Sequence, residues 1–457
     1  MRPFFNRYYN LILPEDLREM LLTAYPLIVI NVVVTGMQFI DAYMISFLGE
    51  ESLAALLPAG LLYFIPISFG WGLLTSVNTF VSQCLGKNWK AGCGHYAMQA
   101  LYFSVFFGLL TLLLWFAAEP IFAMMRHEPH VQKMEVVFFR LSLFGAVPNL
   151  ILCALSNFFV GIHRPKILMV SAAAGTLLNI LFAWALIFGK LGLPVLGIAG
   201  AAIGTALATL AQAVILLAAF WRKPLREEFD TWHFSFDPKA MLQVLRIGLP
   251  AGGQMIFDML TWSVAVTWTV GLFGTKHLAA NTIVVRLLHM AFMPPLGLGA
   301  ALTAFVGRSI GEGSIGRAQR QVRQAFVITE AYMVSIGVCF FVFRHPLIRL
   351  FSSDPEVVRL GGYMLIYAGA YQAFDAMFLT FSHALRGAGD TFWPAVALVI
   401  SSIVLLVGGS VVMVVYFPQF GSAGPWMACM VYVCVLGPAM LLRWRYGPWR
   451  KFNIFRA

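Results

Sequence analysis

Charge is scarce in this sequence. Acidic and basic residues make up 11% of its 457 positions and hydrophobic residues 60%, where soluble domains carry roughly 25% charged residues. A water-soluble globule is excluded, because it has no solvent in which to hide so much apolar surface. The first twenty residues are polar and mixed in charge, without the short apolar core that ends at a small-residue cleavage site, so no cleavable leader is expected. Only six cysteines occur, scattered and without metal-ligand spacing; they are expected to be free thiols packed as small apolar groups. No His-Glu-x-x-His or similar cluster appears and the nine histidines are dispersed, so a membrane-embedded enzyme is not expected. Strict apolar alternation over short segments is missing too, which excludes a membrane β-barrel.

What is present is a series of apolar runs of about twenty residues, each long enough to cross roughly 30 Å of hydrocarbon. Twelve such segments are expected, the first at 21–47 and the last at 424–443. The fold class is therefore all-α integral membrane, with twelve transmembrane helices. A net charge of +11 raises the question of nucleic acid, and the placement of the cations answers it. With the N-terminus in the cytoplasm, 22 of the 31 lysines and arginines fall on the cytoplasmic side, eight on the other side, and one, Arg286, inside a span. That asymmetry sets topology, with both termini cytoplasmic in a multi-pass protein of the plasma (bacterial inner) membrane. The expected partners are the lipid bilayer and small molecules, with no nucleic acid, and the chain is expected to work as a monomer.

The longest polar stretch, 221–241, lies near the midpoint and reads as a cytoplasmic linker between an N-lobe at 1–220 and a C-lobe at 242–457 with a basic tail. An offset of 225 residues lays one half on the other: Gly49 falls on Gly274, Leu53-Ala54-Ala55 on Leu278-Ala279-Ala280, Gly72-Leu73 on Gly297-Leu298, Phe80-Val81 on Phe305-Val306, and Gly86 on Gly311. A weaker echo follows, one residue off that register, with Gly161 before a basic loop matching Gly387. An even number of helices per repeat gives two pseudo-symmetric six-helix lobes of the same orientation, an arrangement that commonly encloses a midplane cavity and alternates access.

Of twenty acids, four lie within spans: Asp41, Asp258, Glu330 and Asp375. An ionised carboxylate near the bilayer centre costs several kcal/mol unless it faces a cavity or a partner. Such a group can hold a proton, a sodium ion or a cationic substrate, but only one at a time, and exclusive occupancy is what antiport requires. Gln38 lies close to Asp41. Gln254 lies one helical turn before Asp258 and Trp262 one turn after it. Tyr367, Tyr371 and Gln372 surround Asp375 at helical spacing. Arg286 is a natural counter-charge for Asp258 or Asp375, or half of a structural ion pair. Gln38, Gln254, Trp262, Arg286, Tyr367 and Tyr371 are the candidate cavity residues. Glu330 stands about two turns beyond Arg323 and is as readily structural as functional. Prolines at 26, 66, 148, 250, 294, 295 and 394, together with 14% aromatics and 21 methionines, suit a bending bundle with a cavity for flat cations.

The chain resembles the multidrug and toxic compound extrusion (MATE) family, NorM-like branch, over nearly its full length. The matching stretches are Phe39-Ile40-Asp41, Leu53-Ala54-Ala55, the run from Leu186 to Pro194, Gly197-Ile198-Ala199-Gly200-Ala201-Ala202, Gly248-Leu249-Pro250, and Leu385-Arg386-Gly387-Ala388-Gly389-Asp390-Thr391. The resemblance implies that Asp41 handles protons or sodium in the N-lobe with Asn179 and Thr205 as polar neighbours, and that Asp258 and Asp375 form a C-lobe cation site. Ala183 departs from the family, which carries an acid or amide there, and Arg286 stands where relatives carry an amide. Asp41, Asp258 and Asp375 are thus the candidate sodium ligands. The expected function is secondary active efflux of cationic, aromatic or amphipathic compounds in exchange for protons or sodium ions, with no other cofactor. The alternatives are a lipid-linked oligosaccharide flippase, which would line its cavity with several basic residues, or a metabolite exporter of the same superfamily.

Overall fold

The computed structural model describes residues 15–455, and among these every regular element is helical. Helices are the form in which a chain crosses lipid with its backbone polar groups satisfied within each segment. In chain order, the long elements are α1 (Glu15–Ser46), α2 (Glu50–Gly86), α3 (Lys90–Thr111, continued by Leu114–Met125), α4 (Pro129–Leu143, continued by Ala146–Gly161), α5 (Lys166–Phe188) and α6 (Ile198–Phe220). The second set is α7 (Pro238–Trp262, continued to Gly271), α8 (Thr275–Gly311), α9 (Ile315–Val342), α10 (Pro355–Ala370, continued by Gln372–Gly387), α11 (Phe392–Ser401, continued to Tyr416) and α12 (Ala423–Tyr446). Two short helices, Lys223–Phe229 and Arg344–Arg349, lie between spans.

Eight of these are single helices long and apolar enough to cross a membrane, and α3 and α4 join them as pairs bent by 49° and 47°. The remaining two are less uniform. The first part of α7 carries Lys239, Arg246 and Asp258, and α10 breaks between Ala370 and Gln372. Both α7 and α11 pass through a π-helical stretch, Ser263–Trp268 and Ser402–Gly408, a distortion often found beside functional residues.

The helices group into two compact units. One is Val29–Gly252 with Phe455; the other is 15–28 with Gly253–Ile454. The unit boundaries thus fall inside α1 and α7 rather than in the linker. The first turns of α1 are fixed to the second unit by Arg317, whose guanidinium lies 2.7 Å from Asp16 and 2.9 Å from Glu312.

Local geometry within each unit repeats with the sequence. Gly49 and Gly274 precede α2 and α8 with φ of 102° and 111°, a backbone region that glycine enters without a Cβ penalty. Gly161 packs so that a Cβ would stand 2.9 Å from Cβ of Val81 and 3.3 Å from the Asn78 carbonyl oxygen. Gly387 in the other unit meets the Val306 Cβ at 3.1 Å and the Thr303 carbonyl oxygen at 2.6 Å in the same construction. The two six-helix halves are therefore built on one plan, as the sequence offset requires.

Candidate functional site

In the first unit the site is set by the end of α1. Met44 and Ile45 pack with Ala183, Ile187 and Ala201 of α5 and α6 in one apolar cluster. Asp41 lies one turn before Ile45 and Asn179 one turn before Ala183, so the same two faces meet again one layer away. There the Asn179 amide hydrogen-bonds the Asp41 carboxylate. The same Asn179 Nδ2 donates to the Thr205 hydroxyl on α6 at 3.2 Å. Asn179 is fully buried. One carboxylate oxygen of Asp41 and the Asn179 side-chain carbonyl oxygen are buried without a hydrogen-bond partner among the described residues. Acceptors thus outnumber donors, which leaves room for one positive species, a proton or a small cation.

The Ala183 departure has a packing basis. A Cβ at Gly204 of α6 would stand 2.8 Å from the Ala183 nitrogen, and one at Gly200 would stand 2.6 Å from the Leu186 carbonyl. α5 and α6 meet almost backbone to backbone here, and only a small side chain fits. Gln38 is exposed.

In the second unit the carboxylates come from α7 and α10. The Trp262 indole N–H donates to Asp258, and Gln254, one turn earlier, is buried. Asp375 opens the second half of α10, immediately after the break at Tyr371, and its charge is felt against that of Asp258. Cys429 and Tyr432 on α12 complete the group. The Tyr371 hydroxyl faces the Cys429 thiol, and Tyr432 stands one turn after Cys429 on the same helix. Tyr371, Cys429 and Tyr432 are all buried, as is Gln372. One Asp375 oxygen and both amide atoms of Gln372 lack hydrogen-bond partners among the described residues. The Tyr371 hydroxyl is unpartnered among them too, so this polar cluster holds unsatisfied donors as well as acceptors.

The structure brings Asp41, Asn179 and Thr205 together in one unit and Asp258, Asp375, Trp262 and Tyr371 in the other. Tyr367 is half-buried one turn before Tyr371. Arg286 is exposed on α8. Glu330 is half-buried on α9, outside both clusters. Cys429 and Tyr432 were missed from sequence. Their signal, two polarisable residues at i and i+3 on an apolar span, is weak against so many similar pairs.

A duplicated six-helix unit, with carboxylates inside the span region of each, defines a multi-pass membrane transporter. The chain belongs to the MatE family, whose pattern matches residues 26–185 and 250–411, one stretch in each repeat. It is 27% identical over 445 residues to a probable multidrug resistance protein NorM of Mesorhizobium japonicum, covering 94% of both chains. It is 26% identical over 451 residues to a probable NorM of Thermotoga maritima, covering 96% of this chain and 94% of that one. Solved structures share the fold. The eukaryotic MATE transporter AtDTX14 aligns with a TM-score of 0.84 at 20% identity, over 96% of this chain and 97% of that one. A MOP superfamily transporter from Pyrococcus furiosus aligns at 0.85 and 19% identity, over 94% and 96%.

Proposed function

We propose that the protein is a secondary active multidrug antiporter. It expels cationic, aromatic or amphipathic compounds by alternating access as protons or sodium ions enter. The observation that carries this reading is a carboxylate inside the span region of each unit with an oxygen unpartnered among the described residues: Asp41 beside Asn179 in one, Asp375 near Asp258 in the other. A carboxylate in a low-dielectric interior must bind a positive species or stay protonated, so filling and emptying such a group couples two transported cations. Relatives described as probable multidrug resistance proteins support drug export as the physiological direction. The cation asymmetry supports a plasma-membrane topology with both ends in the cytoplasm, and a monomer suffices because each cluster is complete within one chain.

The test is accumulation of a cationic dye in efflux-deficient cells expressing this chain. The wild-type chain should lower retained dye, and Asp41→Asn, Asp258→Asn and Asp375→Asn should each restore retention toward that of empty cells. Collapsing the proton and sodium gradients separately identifies the ion. Dye retention identical with and without the wild-type chain would overturn the reading and favour a flippase.

A further inference from the structure

The segment joining α6 to α7 is polar in composition, yet its aromatic side chains point outward. Thr231 is fully buried and donates to the Phe220 carbonyl at 2.7 Å. Trp232, Phe234 and Phe236 are 46%, 55% and 60% exposed. The orientation is held by a scaffold. Gln99 of α3 donates to the Ser235 carbonyl at 2.9 Å and accepts from the Asp237 N–H at 3.2 Å. His95 lies 3.3 Å from Asp237. The rings are therefore presented by a fixed backbone.

They are also grouped. Trp221 lies 5.7 Å from Trp232 and 5.9 Å from Phe234, and Trp232 lies 5.3 Å from Phe234, measured between ring centroids. The Arg226 guanidinium sits 5.1 Å over the Trp232 ring. Trp221 Nε1 is buried with no acceptor among the described residues. Nearby, Glu228 is committed to Arg164 and Lys90 at 2.8 and 3.2 Å, and Glu227 reaches only Lys223, at 3.8 Å. Exposed Arg222 and Arg226 are left as excess positive charge.

An aromatic cluster with basic side chains, starting one residue after Phe220 at the end of a spanning helix, lies at the depth of the membrane–water interface. Indole rings favour that layer, and cations there are drawn to anionic lipid. We propose that this linker is an interfacial anchor. Trp232, Phe234 and Phe236 enter the bilayer surface, while exposed Arg222 and Arg226 hold the headgroup of an anionic phospholipid. The anchor is independent of what the protein transports and rests only on the spanning fold.

The full-length chain in phosphatidylcholine nanodiscs, with or without phosphatidylglycerol, provides the test. Trp232→Phe keeps an aromatic ring, so the emission difference from wild type isolates Trp232. That difference should be quenched by lipid brominated high on the acyl chain and spared by aqueous iodide. Retention of phosphatidylglycerol over phosphatidylcholine, read by native mass spectrometry, should fall about fivefold for each of Arg222→Gln and Arg226→Gln, the effect of one cation near an anionic surface. Trp232 emission quenched by iodide and not by bromolipid would overturn the insertion. Unchanged lipid preference in both arginine variants, in protein with wild-type thermal unfolding, would overturn the headgroup site.

Discussion

Gly72 of α2 meets Gly252 of α7 so closely that a Cβ on Gly72 would stand 2.7 Å from the Gly252 Cα and 2.5 Å from the Ala251 carbonyl oxygen. Its repeat partner Gly297 of α8 does the same at the other helix start, where a Cβ would stand 2.9 Å from the Ile28 nitrogen. The glycine conserved between repeats thus marks where each unit seats the helix that opens a repeat, and it explains why the unit boundaries fall inside α1 and α7.

Because the obstacle is backbone and cannot swing aside, Gly72→Ala and Gly297→Ala should each lower stability by about 1–3 kcal/mol, the range for overpacking. Gly60→Ala in the same α2 helix, where nothing lies within 4 Å of the added Cβ, is the control and should be neutral or slightly stabilising. Thermal unfolding of detergent-purified variants checks this; equal behaviour of Gly72→Ala and Gly60→Ala would refute it.

The run Leu385–Thr391, one of the family-like stretches, turns out to be a corner. Gly389 has φ of 86°, and the nearly buried Asp390 accepts from Arg443 of α12 at 2.7 Å. The Arg443 guanidinium also lies 5.2 Å over the Trp393 ring. Removing one partner leaves the other charge buried and unpaired. Arg443→Ala should therefore cost about 3 kcal/mol, whereas Arg443→Lys should recover part of it. Unfolding midpoints of the two variants give the comparison, and a midpoint of Arg443→Ala indistinguishable from wild type would remove the structural role.

Hydropathy made the helices legible because a bilayer selects whole segments, and matched glycines such as Gly49 and Gly274 made the repeat legible because backbone geometry tolerates little else there. The faces of the helices were not legible. In a soluble amphipathic helix, polar residues mark the outer side, but here nearly every side chain is apolar and lipid is a permissible neighbour for any of them. The sequence therefore offers Asp258, Asp375 or a structural ion pair for Arg286 alike, and the structure shows it exposed on α8. Cys429 is a free, buried thiol, as expected, and nothing in the sequence marks that it lies beside Tyr371. The bend after Leu143 has its mark in Pro148, whose missing N–H frees the Phe144 carbonyl, whereas the bend after Thr111 has no proline or glycine at the break.

Glu228 joins the short helix Lys223–Phe229 to the rest of its unit through Arg164 and Lys90. Desolvation pushes its carboxyl up, but the hydrogen bonds and charges of Arg164 and Lys90 outweigh it, so it sits below the ordinary value of 4.5. A lowered folded-state value means its stabilisation is complete above pH 4.5 and is lost as pH falls through the folded value. Glu228→Gln should cost about 0.5–1 kcal/mol at neutral pH, because the cluster is partly solvated. The gap from wild type should close on acidification below pH 4.5. A gap that persists or widens there would contradict the assignment.

Asp41, Asn179 and Thr205 make a graded series. Asp41 supplies the charge, Asn179 orients it, and Thr205 only receives the Asn179 amide at 3.2 Å. If the coupling cation rests on Asp41, Asp41→Asn should depress gradient-driven dye efflux most, by about tenfold or more, within the usual range of a coupling free energy. Asn179→Ala removes a hydrogen bond to a charged group, worth about 1.5–3 kcal/mol, and should raise the ion concentration for half-maximal efflux by about tenfold to a hundredfold. Thr205→Val removes a neutral hydrogen bond of about 1 kcal/mol and should raise it about fivefold. Initial efflux rates against an imposed ion gradient give all three values. An effect of Thr205→Val exceeding that of Asp41→Asn would place the coupling cation elsewhere, because a hydroxyl two bonds removed from the charge cannot outrank the charge itself.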